Sequence, residues 1–404
     1  MNLRQRQRRG DVPTQRPTRP TSGLSVARLP SQAPPSPIQH LLDVAQIRVG
    51  GPEPWDIHVH DPRMYQRAMC QGTLGLGESY MDGDWDCEAL DELFMRLMRL
   101  DVDRLATGLT RWRWAAQVLR HRVLNLQSHG RAFTVGQHHY DAGNDLFERM
   151  LDSRLIYSCG YWEFARDIEQ AQADKLELIC RKLDLQPGMR LLDVGCGWGG
   201  LARWAAEKHG VSVVGITVSK EQLVLAQQRV RGLPVSLYLQ DYRDVQGQFD
   251  RIVSVGMFEH VGQKNYATYF DHMRRLLEPE GVFLLHSIGN HVTSAATDPW
   301  IDRYVFPNGK LPSAGELAQA LEGRFLIEDW HNFGADYDRT LMAWWQRFDD
   351  AWPDLRAHYN ERFYRMWRYY LLSCAGFFRS RQGQLWQLVL TRREREATYR
   401  SVRL

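Results

Sequence analysis

Leu191-Leu192-Asp193-Val194-Gly195-Cys196-Gly197-Trp198-Gly199-Gly200 is the stretch on which the reading of this chain turns. An apolar run of strand type enters alternating glycines, and residues 201–209 continue at helical spacing. Glycines at such a junction let the backbone turn tightly and come close to a nucleotide-type ligand. A glycine loop alone is weak; one with a strand before it and a helix after it has the context a real site requires. Its DxGxGxG form differs from the GxGxxG dinucleotide fingerprint and suits a ligand without a pyrophosphate, such as S-adenosylmethionine. The alternative is a structural turn in some other α/β protein.

Outward from the loop, strand-like runs at 190–194, 211–217, 235–239, 249–255, 281–287 and 325–330 alternate with helical patterns such as 201–209 and 220–229. That alternation predicts a parallel, doubly wound sheet. The final run, 385–391, is expected to close it as an edge strand after a long aromatic-rich insertion, about 336–383. Upstream, residues 37–130 form a smaller expected domain with strand-like runs at 46–49 and 55–59 and a helix at 91–99. Residues 105–127 are basic and amphipathic, with Trp112 and Trp114 among Arg111, Arg113, Arg120 and Arg122. Tryptophan beside arginine suits a lipid headgroup layer, and equally an ordinary interdomain helix. Residues 1–36, rich in Pro, Arg, Gln and Ser, are read as a disordered basic tail, either a plain solvated segment or an arm touching anionic lipid.

With 404 residues, 44% of them hydrophobic, the chain has enough apolar material for a substantial core. A net charge of +3 does not argue for nucleic acid, and no nucleic-acid partner is expected. There is no signal-peptide core and no apolar run near the roughly 18 residues a spanning helix needs. Cys70, Cys87, Cys159, Cys180, Cys196 and Cys374 are scattered without a CxxC pair, which argues against a disulfide framework or a zinc site and for a reducing cytoplasm. No metal site is expected.

Further motifs follow in order: HYDAGNDLF at 139–147, YSCGYW at 157–162, the glycine loop, GITVSKEQ at 215–222, MFEHVG at 257–262, HSIG at 286–289 and DYDRTL at 336–341. Together they resemble the cyclopropane-fatty-acyl-phospholipid synthase family, related to the mycolic acid cyclopropane synthases, from GLGESYMDGDWDC at residue 75 to the last strand. The resemblance implies an α/β fold: a Rossmann-like class I S-adenosylmethionine-dependent methyltransferase domain (131–404) with a smaller α+β N-terminal lipid-binding domain (37–130).

It also implies an activity, the transfer of a methylene group to the cis double bond of unsaturated phospholipid acyl chains. The alternatives are a methyltransferase making methyl-branched lipids or methylating a small amine, and an inactive membrane-binding protein. For S-adenosylmethionine the resemblance implies Tyr157, Ser158, Asp193, Gly195, Gly197 and Gly199, with Asp241 and Tyr242 near the adenine. The carboxylate that often holds the ribose is missing after the second strand; Thr217 and Gln222 stand there, and helix capping by Thr217 and Ser219 is the plainer reading. A second set, Cys159, Glu259, His286, Ile288 and Tyr337, corresponds to groups that enclose a bicarbonate ion in this family. Singly, Cys159 reads as a buried apolar group, His286 as a structural histidine and Glu259 with His260 as a surface pair. Some of the aromatic set Trp300, Tyr304, Phe306, Trp344, Trp345, Phe363, Tyr364, Trp367, Tyr369, Tyr370, Phe377 and Phe378 is expected to line an acyl tunnel, and most to pack as core. A homodimer in the cytoplasm, peripheral on the inner face of the cell membrane, completes the expectation.

Overall fold

A computed structural model describes residues 33–100, 143–294 and 296–403. The tail to residue 32, the tryptophan–arginine segment 105–127, the expected boundary at 130/131 and residues 139–142 of the first motif lie outside the described residues. The described residues belong to one compact unit.

Two short strands, β1 (His58–Val59) and β2 (Trp85–Asp86), pair antiparallel beside the helices Ser36–Val44, Arg63–Gln71, Thr73–Met81 and Leu90–Met98. The strand-like run expected at 46–49 contributes a single bridge, Val49 to Ile57. The principal sheet holds β3 (Arg190–Val194), β4 (Ser212–Thr217), β5 (Val235–Leu239), β6 (Phe249–Val255), β7 (Leu277–Asn290), β8 (Leu326–Asn332) and β9 (Gly383–Thr391), in the order β5-β4-β3-β6-β7-β9-β8. The five strands β5, β4, β3, β6 and β7 are parallel.

Alternate residues of a strand point to opposite faces, and the sequence fills both. Leu191, Val213, Val253 and Leu284 pack under the helices Ile168–Lys182, Gly200–His209 and Lys220–Arg229. Their neighbours Leu192, Ile216, Ile252 and Phe283 pack with the helices Tyr266–Leu276 and Ala314–Leu321. A sheet covered on both sides reads as continuous apolar runs, which is why these strands were legible. Chain order runs outward from β3 toward β4 and β5, then restarts at β6 on its other side. Ligands bind in the crevice beyond the strand carboxyl ends at such a switch point.

One expectation is corrected. The final run is not an edge strand: β9 lies antiparallel between β7 and β8. Nearly every residue of β9 is buried, whereas β8 exposes Leu326 and Ile327, so β8 forms the edge. The aromatic-rich insertion forms two helices, Ala335–Leu355 and Glu361–Arg379. Their Trp344, Trp367, Tyr369, Tyr370 and Phe378 share a core with Leu42, Tyr80, Trp85 and Phe94 of the N-terminal helices. Gly376 lets helix Leu90–Met98 approach closely: a Cβ there would stand 2.6 Å from the Asp91 carbonyl oxygen.

Candidate active site

Strand β3 and the helix Gly200–His209 meet at the glycine loop. Gly195 (φ 90°) and Gly197 (φ 54°) adopt backbone conformations that favour glycine, and the N–H groups of Gly195 and Cys196 donate to the Ile216 carbonyl (3.0 and 2.9 Å), pinning the loop to β4. The loop walls a cavity at the carboxyl ends of β3, β4 and β6, lined by Tyr157, Ser158, Asp193, Gly195, Gly197, Thr217, Gln222, Asp241 and Tyr242. Gly199, expected with them, is absent from this wall. It caps helix Gly200–His209 in the left-handed region (φ 78°), while an added Cβ would make only ordinary contact with Ala226 at 3.4 Å, so the turn's backbone is what asks for glycine.

Asp193, next to last in β3, is almost fully buried, and its Oδ2 has no hydrogen-bond partner. Burial pushes its carboxyl up to about 7, opposed by the Lys175 ammonium. Ser219 caps helix Lys220–Arg229 through the Gln222 N–H (3.3 Å), while the Thr217 hydroxyl donates to Gln222 Oε1 (3.2 Å) and accepts from the Ser219 N–H. Thr217 and Gln222 thus take part in the capping turn and line the cavity together. Asp241 accepts from the Arg243 N–H and guanidinium (2.9 and 2.8 Å), and the buried Tyr242 hydroxyl has no partner.

The second set gathers behind this wall. None of Cys159, Glu259, His286, Ile288 or Tyr337 lines the cavity, although Cys159 follows Ser158, and Glu259 lies between Met257 and His260, which do. Glu259 is 6% exposed, which excludes a surface pair with His260. Its Oε1 accepts from the Ile288 N–H (2.7 Å), its Oε2 is buried without a partner, and burial raises the carboxyl to about 7. The Ile288 N–H is therefore committed to Glu259. Burial holds His286 well below its ordinary value, so the ring is neutral. The Gln387 side-chain N–H donates to His286 Nδ1 (3.2 Å), which leaves the ring proton on Nε2, itself buried without a partner. Tyr337 stacks on Phe378 (centroids 4.5 Å apart) within electrostatic reach of Cys159 and Glu259. The Cys159 thiol donates to the Gly160 carbonyl (3.1 Å) and is pushed far up by burial, which keeps it protonated and a poor nucleophile.

Sequence reading missed Lys175, Met257, His260 and, beside Phe306 of the aromatic set, the turn residues Val305 and Pro307, all in the cavity wall. Lys175 had a visible signal: it falls on the buried register of its helix with Ile168, Ala171, Gln172 and Ile179. The turn had none, because it reaches the site through a long excursion after β7.

The wall suits S-adenosylmethionine. A Cβ on Gly197 would meet no protein atom within 4 Å, so that side is open to a ligand, and the unpartnered Asp193 and Tyr242 oxygens offer polar contacts. The family model for mycolic acid cyclopropane synthetase matches residues 127–388. The chain belongs to this family. It is 54% identical to the cyclopropane-fatty-acyl-phospholipid synthase of Escherichia coli K12, across 87% of this chain and 92% of that one. Among solved structures, the cyclopropane synthase MmaA2 from Mycobacterium tuberculosis superposes with a TM-score of 0.61 at 32% identity, covering 66% of this chain and 99% of that one. The mycolic acid cyclopropane synthase CmaA1 complexed with SAH and CTAB gives a TM-score of 0.60 at 34% identity, covering 64% and 97%. The chain is thus an S-adenosylmethionine-dependent methyltransferase of the class that cyclopropanates unsaturated lipids, with the Rossmann-like class I fold.

Proposed function

We propose that this enzyme adds a methylene group across the cis double bond of an unsaturated acyl chain carried by an intact phospholipid, with bicarbonate held among Cys159, Glu259, His286, Ile288 and Tyr337. When bound, S-adenosylmethionine supplies an electrophilic methyl carbon. An alkene needs no base to react with it, so the chain's first task is positioning. The aromatic walls exclude water from the cation that follows. Ring closure then requires one proton to leave the new methyl carbon, and a weak base suffices.

The observation that carries this reading is the pair of buried polar atoms without protein partners, Glu259 Oε2 and His286 Nε2, behind the cofactor cavity. His286 Nε2–H and the Tyr337 hydroxyl would donate to the ion, and Glu259 would accept from it. Ile288 would act by orienting Glu259. Methylation of a small amine has no need of such a site. The related CmaA1 structure holds CTAB, a long-chain amphiphile, beside SAH, which supports a lipid substrate. A homodimer working at the inner membrane face belongs to the same proposal. Among the described residues no helix is long and apolar enough to cross a membrane.

Mass analysis of lipids after incubation of unsaturated phospholipid vesicles with the enzyme and S-adenosylmethionine tests the reading. A gain of one CH₂ with loss of the double bond is expected. A methyl-branched product, or no change in the lipid, overturns it.

A further inference from the structure

Lys175 is 1% exposed, yet it is an ammonium-bearing residue in the wall of the cofactor cavity. Its Nζ donates to the Ser158 hydroxyl oxygen (2.8 Å). The titratable groups facing it are Asp152, Cys159, Asp193 and His286, the last a neutral ring. Asp152 is engaged by the N–H groups of Ile156 and Arg154 (2.8 and 3.2 Å), and Cys159 is a neutral thiol. Asp193 remains, with its free Oδ2, on the same wall. Burying an ammonium without a direct carboxylate contact is costly, so a purely structural role explains it poorly.

We propose that Lys175 is a positioning residue for the amino-acid end of S-adenosylmethionine: it turns Ser158 to donate toward the ligand carboxylate and favours the anionic form of Asp193 that pairs with the ligand ammonium. The hydroxyl geometry supports the first part. Because Nζ donates to Oγ, the hydroxyl proton is left for another acceptor, and Ser158 lines the cavity. The charge balance supports the second. Asp193 has the neutral thiols Cys180 and Cys196 as its other titratable neighbours, and Lys175 is the charge that favours its anionic form. Lys175, Ser158 and Asp193 then present a donor and an anion side by side, complementary to an α-amino acid zwitterion. Gln172 steadies this arrangement by donating to the Ser158 carbonyl (2.8 Å).

Calorimetric titration of the ligand-free enzyme with S-adenosylmethionine and with its decarboxylated analogue tests the proposal without turnover. The wild type should favour the intact ligand by about tenfold or more, the scale of one hydrogen bond to a charged group. Lys175→Met should weaken binding of the intact ligand by at least about tenfold, narrow the preference to within about threefold, and move the acid limb of the binding–pH curve to higher pH. Lys175→Gln keeps an N–H for Ser158 and should restore part of the carboxylate preference while leaving the pH limb displaced. Lys182→Met is the control, since that buried lysine faces Asp329 (3.3 Å) and His331 (3.0 Å) and is absent from the cavity wall. It should leave the preference intact. The ligand-free Lys175→Met protein should melt no lower than wild type, because a buried charge is removed. Wild-type affinity, preference and pH limb in Lys175→Met overturn the proposal. So do losses in both Lys175 variants that merely follow a lowered melting temperature, which would make the residue structural.

Discussion

Gly197 holds a positive φ beside open space, and these two facts have different consequences for a substitution. Valine there strains the backbone by roughly 1–2 kcal/mol, which a chain of this size tolerates. Its side chain would fill the space offered to S-adenosylmethionine. Gly197→Val should stay folded by circular dichroism while calorimetry detects no cofactor binding; wild-type affinity would remove the loop from the site. Glu259→Gln separates charge from shape. Losing a preorganised electrostatic contact typically costs about 10²–10³ in rate, so turnover on vesicles should fall by that order with cofactor affinity little changed. Stability should move the other way. The folded carboxyl titrates at about 7 against 4.5 when unfolded, so the unfolded chain releases this proton first as pH rises. Ionised Glu259 therefore weakens the fold most above pH 7 and not at all below about 4.5. Ligand-free Glu259→Gln should melt above wild type at pH 8, with a margin that vanishes near pH 4.5. A constant margin across that range would place the charge elsewhere. Motif order made Glu259 and His286 legible in the sequence. What no motif tells is which partner takes which hydrogen bond, and the commitment of the Ile288 N–H to Glu259 came only with the structure.

Elements were legible where a strand's two faces are both apolar, and less so where position in the sheet mattered. Strands β3 and β6 begin and end where their apolar runs do, because the coverings on both faces are continuous, whereas β5, an edge strand with Leu237 buried and Tyr238 exposed, was legible from its β-branched and aromatic alternation. The last strand was misplaced because a terminal run gives no sign of its neighbours; its burial, set by β7 and β8, decides that it lies inside. The insertion's two helices are bound to the N-terminal helices by arginines as well as aromatics. Arg379 reaches Asp91 and Asp338 (2.5 and 2.9 Å), and Arg365 and Arg368 donate to carbonyls near β2. Gly376 is a point of close approach, and its added Cβ would meet the backbone of Asp91 and Met95 as well as Phe94 Cβ, none of which yields easily. Gly376→Ala should thus destabilise by about 1–3 kcal/mol, as overpacking does. Gly315→Ala, whose nearest neighbour would be Ser313 Oγ at 3.9 Å, should be neutral or slightly stabilising. Equal melting temperatures for the two variants would show that the helices separate freely at Gly376.

The proposed reaction on an intact phospholipid requires an acyl chain to leave a bilayer, although no helix among the described residues is long and apolar enough to cross one. A net charge of +3 on 404 residues gives little long-range attraction, so association must depend on where the cations cluster. Two clusters stand out in the sequence: Arg4, Arg6, Arg8 and Arg9 near the start, and Arg111, Arg113, Arg120 and Arg122 beside Trp112 and Trp114. The second joins cations to side chains that favour the headgroup layer, and it should carry most of the binding. Each arginine near an anionic surface contributes about 1 kcal/mol, so replacing those four by glutamine should lower vesicle partitioning on the order of a hundredfold or more. Removal of residues 1–32 should have a much smaller effect. Sedimentation with vesicles containing anionic phospholipid should be strong at low salt and partly lost at high salt, since exposed charges are screened over about 8 Å under physiological conditions. Tryptophan insertion does not depend on ionic strength, so some binding should survive the salt. Equal sedimentation with purely zwitterionic vesicles, or none with anionic ones at low salt, would show that the acyl chain reaches the cavity by a route other than surface attachment.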